Sequence, residues 1–483
     1  MPSTPGRALC TRSARRTWCG CRSGDRRPVS VVAIEDRVVL ECFYGPLWTP
    51  ADRAAVVRRA HSHGATGYVY GPAADGRTGA DWREPYGDDA GHLAELLALT
   101  RELGMTATWR VSPGAPLCRD RAISLADRDE LALLLDRVTA MTRLGFDRVI
   151  VAFDDIDAQL DPVTRAMYGA DPHPMAAAQA VVINAIHDGL ANLGTELLVC
   201  PTHYWGVESS RYRLRLGELL HPELIACWTG PTVVSPTVSA AQARTVAEQL
   251  QRRVWLWDNY PVNDWDGTDL AFSSATTPRR LPLAPLRGRD PRLADVLVGY
   301  GANAALQAHA GLPGLCTAME WACDPQGYDP DRAFVQALEE TGQVDALEAL
   351  AGLAGPSVLT DDPGRLAVAC WAALRSPDPA ELVALHNLLD QSAAAIEALS
   401  GPIASELRPW ADALRIVLPA ASAAARVLTA TRAGRLAANA DITMVRDAIR
   451  SWPRLSIAGG ALFALADHTL GTAGAGTPTW PDG

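Results

Sequence analysis

Two adjacent carboxylates, Asp154 and Asp155, follow an apolar run of strand character, Val149 to Phe153. Burying one unpaired carboxylate is costly, and a second beside it raises the energy of ionising either. An arrangement with that cost invites a chemical explanation. Paired carboxylates suit glycosidic bond cleavage, in which one acts as acid while something stabilises positive charge at the sugar carbon. The usual pair sits on two different strands and flanks the bond. Neighbours within one strand point apart and cannot easily do that. Adjacent aspartates therefore suit a mechanism in which the substrate brings its own nucleophile. A 2-acetamido group can attack the anomeric carbon when one aspartate orients its N–H and the other protonates the leaving oxygen. A metal pair or a polar cap at a strand end accounts for the same residues, and residue type and spacing leave that choice open.

Seven other apolar runs close on polar or aromatic tips: FYG, YGP, SPG, PTHYWG, WTGP, WDNYPVND and GYGAN. Trp205, Trp228, Trp257 and Trp265 fall on or near such tips, while the chain holds only 6 phenylalanines. Planar indoles beside Asn and Asp suit a sugar, whose apolar ring face stacks while its hydroxyls hydrogen-bond. Tryptophans that merely plug the mouth of a barrel are the plainer explanation.

Composition narrows the chemistry. The chain has 483 residues, 48% hydrophobic and 20% charged, as expected of a globular protein with one large domain and a smaller one. A net charge of −11 argues against nucleic acid as a general partner and gives no help on an anionic membrane. Lysine is absent, so a Schiff-base lysine, a pyridoxal-phosphate enzyme and a phosphate-loop lysine are excluded. Of the 10 cysteines, Cys200, Cys227 and Cys370 sit in apolar runs and read as reduced core residues. Cys19 and Cys21 lack a matching Cys/His pair, and no metal is expected. No stretch reads as long and apolar enough to span a bilayer. Residues 1–30 are Arg-rich without the apolar core of a secretory signal and read as a disordered tail, which makes the cytoplasm the default location.

The elements that must position the tips alternate from about residue 31. VVLECFYG precedes TPADRAAVVRRAHSHG, where Thr49 and Pro50 have the character of N-cap and N1, and Gly64 that of a helix stop. TGYVYGP, TATWRVSPG, RVIVAFDDID, ELLVCPTHYWG, LIACWTGP, RVWLWDNYPVND and DVLVGYGANA follow, mostly separated by helical stretches. The runs are nearly continuous in apolar residues, as in parallel strands covered on both faces. A (β/α)8 TIM barrel over 31–330 is the economical reading, since it puts every tip on one face. A doubly wound open sheet would give no reason for polar tips on every strand. From 331 to 470 the pattern turns to Ala/Leu-rich helices, an all-α bundle expected to pack on the barrel or on a second subunit of a homodimer. Residues 471–483 read as a second disordered tail.

Taken in order, Phe43-Tyr44-Gly45, Trp82-Arg83-Glu84-Pro85-Tyr86, Ser112-Pro113-Gly114, Phe153-Asp154-Asp155-Ile156, Cys200-Pro201-Thr202, Trp228-Thr229-Gly230-Pro231 and the run from Trp257 to Asp264 resemble glycoside hydrolase family 84. That family contains bacterial β-N-acetylglucosaminidases and eukaryotic O-GlcNAcases. The resemblance implies a retaining exo-β-N-acetylglucosaminidase that works through an oxazoline, with a β-linked N-acetylglucosamine conjugate as substrate and no cofactor. By position, Asp154 would orient the acetamido group and Asp155 would be the general acid and then base. Tyr204 and Trp257 would wall the N-acetyl pocket, Tyr44 would line it, and Asn259, Asp264 and Asn303 would hydrogen-bond the substrate.

Two departures stand out. The family's second strand reads YxPKDD, with the lysine in the sugar pocket; here Ala73 takes its place, and Arg77 is displaced in sequence. Cys42 replaces a glycine that lies close to the sugar, and His203 stands where the family has Glu or Gln. Ala73 and Cys42 motivate two competing readings: a sugar-binding or sensing protein on a degenerate hydrolase barrel, and a hydrolase of a different amino-sugar conjugate. A structural protein organised by the bundle is a third.

Overall fold

The computed structural model describes residues 33–87, 90–114, 122–156, 159–264, 280–354, 359–452 and 460–472. The expected basic tail, Cys19, Cys21, Trp265 and most of the C-terminal tail lie outside them.

All eight apolar runs are strands: β1 (Asp36–Glu41), β2 (Gly67–Tyr70), β3 (Thr106–Val111), β4 (Arg148–Ala152), β5 (Glu196–Cys200), β6 (Ile225–Trp228), β7 (Arg253–Asp258) and β8 (Leu297–Asn303). They pair in parallel and in sequence order, and β8 returns to β1, with Val38 opposite Gly301 and Leu40 opposite Asn303. The sheet is a closed barrel, not the open doubly wound alternative. Helices follow the strands, beginning with α1 (Pro50–Ser62), whose N-cap Thr49 accepts from the Asp52 N–H at 3.2 Å. Gly64, with φ of +94°, turns the chain out of that helix, a conformation a side chain would strain.

Strand alternation sorts the side chains into two cores. Residues of one parity, among them Val39, Tyr68, Trp109, Val149, Val151 and Leu197, pack outward against the helices. Those of the other parity, among them Leu40, Val69, Ile150, Leu198, Cys227 and Trp255, fill the barrel. Trp255 occupies its lower layer, with Nε1 donating to Asp36 at 2.7 Å. A Cβ on Gly299 or Gly301 would lie 2.1 Å from the indole, so glycines in β8 make the room that this large ring needs.

Beyond the barrel, the helices from Pro330–Glu339 to Ala461–Thr472 gather a second core around α2 (Arg408–Arg432). Trp410, Leu414, Leu418, Ala421 and Leu428 of α2 are buried there. This helix corrects one sequence expectation, because by length and composition it is long and apolar enough to cross a membrane. Most of its apolar window is buried by neighbouring helices. Glu406 ties the two parts together by accepting from the backbone N–H of His309 at 3.0 Å and of Ala310 at 2.7 Å.

Candidate active site

The aspartate pair stands just past the end of β4. One further ladder contact, from the Phe153 N–H to the Cys200 carbonyl at 2.7 Å, continues the strand parity to residue 153. Asp154 therefore shares the inward parity of Ile150 and Ala152. Had the strand continued, Asp155 would point out. Instead the chain bends, and the Ile156 N–H closes on the Asp154 carbonyl. Both carboxylates line the same cavity at the C-terminal mouth of the barrel. The two side chains do not diverge as strand neighbours would, because the chain bends after Asp154 and strand parity no longer governs Asp155.

Asp155 is held between two phenols. Tyr44, on the loop after β1, donates from its hydroxyl to Oδ2 at 3.0 Å, and Tyr204, on the loop after β5, to Oδ1 at 2.8 Å. Burial and then the charge of Asp154 push the Asp155 carboxyl up to about 6, against the pull of both phenols and Arg110. Asp154 meets a different partner. Nη2 of Arg110, on β3, lies 3.1 Å from Oδ1 and 3.0 Å from Oδ2, and Ser112 Oγ stands 3.4 Å from Oδ1. Two adjacent carboxylates thus have separate environments, one between neutral donors and one against a cation.

The far wall is polar. Trp257 Nε1 and Asn303 Nδ2 both donate to Asn259 Oδ1, at 3.1 and 3.0 Å, while Asn259 Nδ2 donates to the Val233 carbonyl at 2.8 Å. Asn303 Oδ1 is buried without a partner among the described residues, an acceptor in the cavity lining. Asp264 Oδ2 accepts from the Tyr44 N–H at 2.8 Å, and burial pushes its carboxyl up to about 6. Cys42 and Cys200 add thiols raised by burial.

Of the residues expected at the site, Cys42, Tyr44, Asp154, Asp155, Tyr204, Trp257, Asn259, Asp264 and Asn303 line this one cavity. Ala73 does not; it lies on the loop after β2, its N–H directed to the Phe43 carbonyl at 3.3 Å. Arg77 is no substitute for the absent lysine, because its guanidinium lies over the Tyr86 ring at 4.8 Å. Of the tip tryptophans described, only Trp257 lines the cavity. Trp228 is buried outside the barrel, and Trp205 is 47% exposed. His203 bonds Ser210 at 2.7 Å and stacks on Tyr212, a supporting role. The sequence reading missed Arg110. Its signal was a lone arginine of inward parity within the apolar run TATWRV. His187, Asp188 and His221 bring potential metal-ligating atoms within 4.8 Å of one another, but they are no part of this cavity.

Residues 37–354 match the sequence model of the beta-N-acetylglucosaminidase family. The chain is 28% identical over 290 residues to the protein O-GlcNAcase of Rattus norvegicus and equally to that of Mus musculus, a stretch covering 59% of this chain and 29% of theirs. It thus spans less than a third of the length of these curated relatives. Among solved structures, a mutant of the Thermobaculum terrenum O-GlcNAc hydrolase is similar with a TM-score of 0.81 at 22% identity, over 92% of this chain and 97% of that one. CpGH84B is similar with a TM-score of 0.74 at 19% identity, over 91% and 77%. At these identities the two structures show a shared fold.

Proposed function

The chain belongs to the beta-N-acetylglucosaminidase family, and from that premise we propose that it hydrolyses the β-glycosidic bond of N-acetylglucosamine conjugates with retention, using the substrate's own acetamido group. The observation that carries this reading is the separate housing of two adjacent carboxylates in one cavity, with Asp155 raised to about 6 between two phenols. That value suits a residue that must hold a proton for the leaving oxygen and later take one from water.

The steps follow from the lining. Asp154, as carboxylate, accepts a hydrogen bond from the acetamido N–H and turns the acetamido carbonyl oxygen toward C1. That oxygen attacks C1 as the bond to the leaving oxygen breaks, and Asp155 gives its proton to that oxygen. The positive charge that develops on the N–H of the oxazolinium so formed is stabilised by the carboxylate of Asp154 through that hydrogen bond. Water then attacks C1, the carbonyl oxygen leaves, and Asp155 recovers its proton from the water. Two displacements retain the β configuration. Trp257 and Tyr204 offer walls for the acetyl group, and Asn303 Oδ1 and Asp264 offer acceptors for sugar hydroxyls. The cytoplasmic setting is part of the proposal, supported by the free thiols of Cys42, Cys200, Cys227, Cys316, Cys323 and Cys370.

The test is hydrolysis of 4-nitrophenyl β-N-acetylglucosaminide by the wild type and by Asp155→Asn, with the product anomer followed by proton NMR. Turnover with first-formed β product, and a loss of about a hundredfold in the variant, are expected. First-formed α product would overturn the mechanism. Saturable sugar binding without turnover would favour the sugar-binding reading, toward which the Cys42 thiol in the lining points.

A further inference from the structure

Arg110 is the one cationic side chain among the described residues lining the cavity. It is 5% exposed, and its position is not one that stability alone explains. A buried guanidinium pays heavily for desolvation unless its donors are met, yet Nε has no partner among the described residues. Its interaction with Asp154 runs through one nitrogen, Nη2, placed almost equally from both carboxylate oxygens, at 3.1 and 3.0 Å. On its other side the guanidinium lies 5.9 Å from the centre of the Trp257 ring. Arg110 therefore bridges the first aspartate and the indole wall.

The neighbouring strand is shaped to admit it. Gly71, directly after β2, has no side chain where a Cβ would lie 2.7 Å from Cβ and 2.8 Å from Cδ of Arg110. Contacts so close to a stem anchored in the sheet cannot be relieved cheaply. The absence of a side chain at 71 and the presence of a long one at 110 form one feature.

We infer that Arg110 is the positioning residue for Asp154: it fixes the orientation of that carboxyl group at the cavity floor and sets a positive charge against the aspartate pair. The inference rests on the functional reading above only for what Asp154 then does to the acetamido group. The guanidinium meets an internal carboxylate through Nη2. It also provides the cavity with a cation that Ala73 does not. Across the cavity the Asp264 carboxyl, raised by burial to about 6, brings no positive charge. Against the pair itself stand five more titratable groups, the phenols of Tyr44 and Tyr204 and the thiols of Cys42, Cys200 and Cys227. All five lose a proton only at high pH, because burial raises each of them, so Arg110 is the one positive charge in the set.

The experiment follows proton uptake by the aspartate pair in the full chain, from the carboxyl resonances of 13C-aspartate-labelled protein assigned with Asp154→Asn and Asp155→Asn. In Arg110→Gln the first proton should be taken up about one pH unit higher or more, the size expected for losing a cation in contact with a carboxylate. Arg110→Lys should return most of the way to wild type. If Arg110→Gln does not fold, Gly71→Ala tests the same point. Its Cβ should push the guanidinium off Asp154 and move the uptake in the same direction. A folded Arg110→Gln or Gly71→Ala with uptake within about 0.3 units of wild type would overturn the inference, whose expected size comes from the same contact. In parallel, kcat on 4-nitrophenyl β-N-acetylglucosaminide should fall at least tenfold in Arg110→Gln, with the acid limb of its pH profile displaced upward. A wild type that shows no turnover would sink the functional reading, and the titration would still decide the role of Arg110.

Discussion

Replacing Asp155 by Asn should stabilise the protein at neutral pH while removing the proposed hydrolytic activity. Burial and the neighbouring charge raise this carboxyl from 3.8 to about 6, a little over two units. At 1.36 kcal/mol per unit, the folded state carries a penalty of about 3 kcal/mol once the group is ionised. The pH window follows from these two values. Below about 4 the carboxyl is protonated in both folded and unfolded chains, and it contributes no penalty. Between about 4 and 6 the folded state keeps a proton that the unfolded chain has released, so stability falls as pH rises. Above about 6 the penalty is complete. Asparagine removes it and can still meet both phenols, since a hydroxyl accepts as well as donates. With an unfolding entropy near 2 cal/mol/K per residue, 483 residues give about 1 kcal/mol/K, and the melting temperature should rise by about 3 °C. Scanning calorimetry of wild type and Asp155→Asn at pH 7.5 and pH 4 would measure it. A gain at pH 7.5 that vanishes at pH 4 is expected. A variant less stable than wild type at pH 7.5 would refute the reasoning, because it would make the carboxylate a net stabilising group.

The same value predicts the kinetics under the proposed mechanism: kcat/KM should fall tenfold per unit as pH rises above about 6, since Asp155 as the proposed acid must carry a proton, and a profile flat to pH 8 would contradict it. Glu41 is fully buried and paired at 2.6 Å with Arg53 of α1, so Arg53→Met should cost about 3–5 kcal/mol in a urea titration by stranding a buried charge. Trp255→Ala should cost a similar 3–5 kcal/mol, because Gly299 and Gly301 offer no side chains to refill the space. Cys42, Cys200 and Cys227, their thiols raised by burial, should resist iodoacetamide at pH 8 in the native protein and react after denaturation, as read by peptide mass spectrometry.

What the sequence by itself determined was the set of elements and the face they share. Continuous apolar runs separated by helices require parallel strands buried on both sides, and a polar tip on each of eight runs makes sense only if the tips meet. The motif around Asp154 and Asp155, with Trp257 to Asp264, carried the family resemblance because each is a short contiguous run that can be read without the fold. The tertiary structure decided matters that depend on distance through space. Closure of β8 onto β1 is a contact between positions more than 250 residues apart, and no local pattern encodes it. Whether two neighbouring aspartates share a cavity depended on where β4 stops: after Ala152 the chain bends, and strand parity ceases to govern Asp155. Arg110 was visible as a lone charge in an apolar strand, but its partner lies 44 residues away, just past the end of the next strand. The room it occupies was set by a missing side chain at Gly71. A charge within a strand is read as out of place until the fold shows the opposite charge it faces.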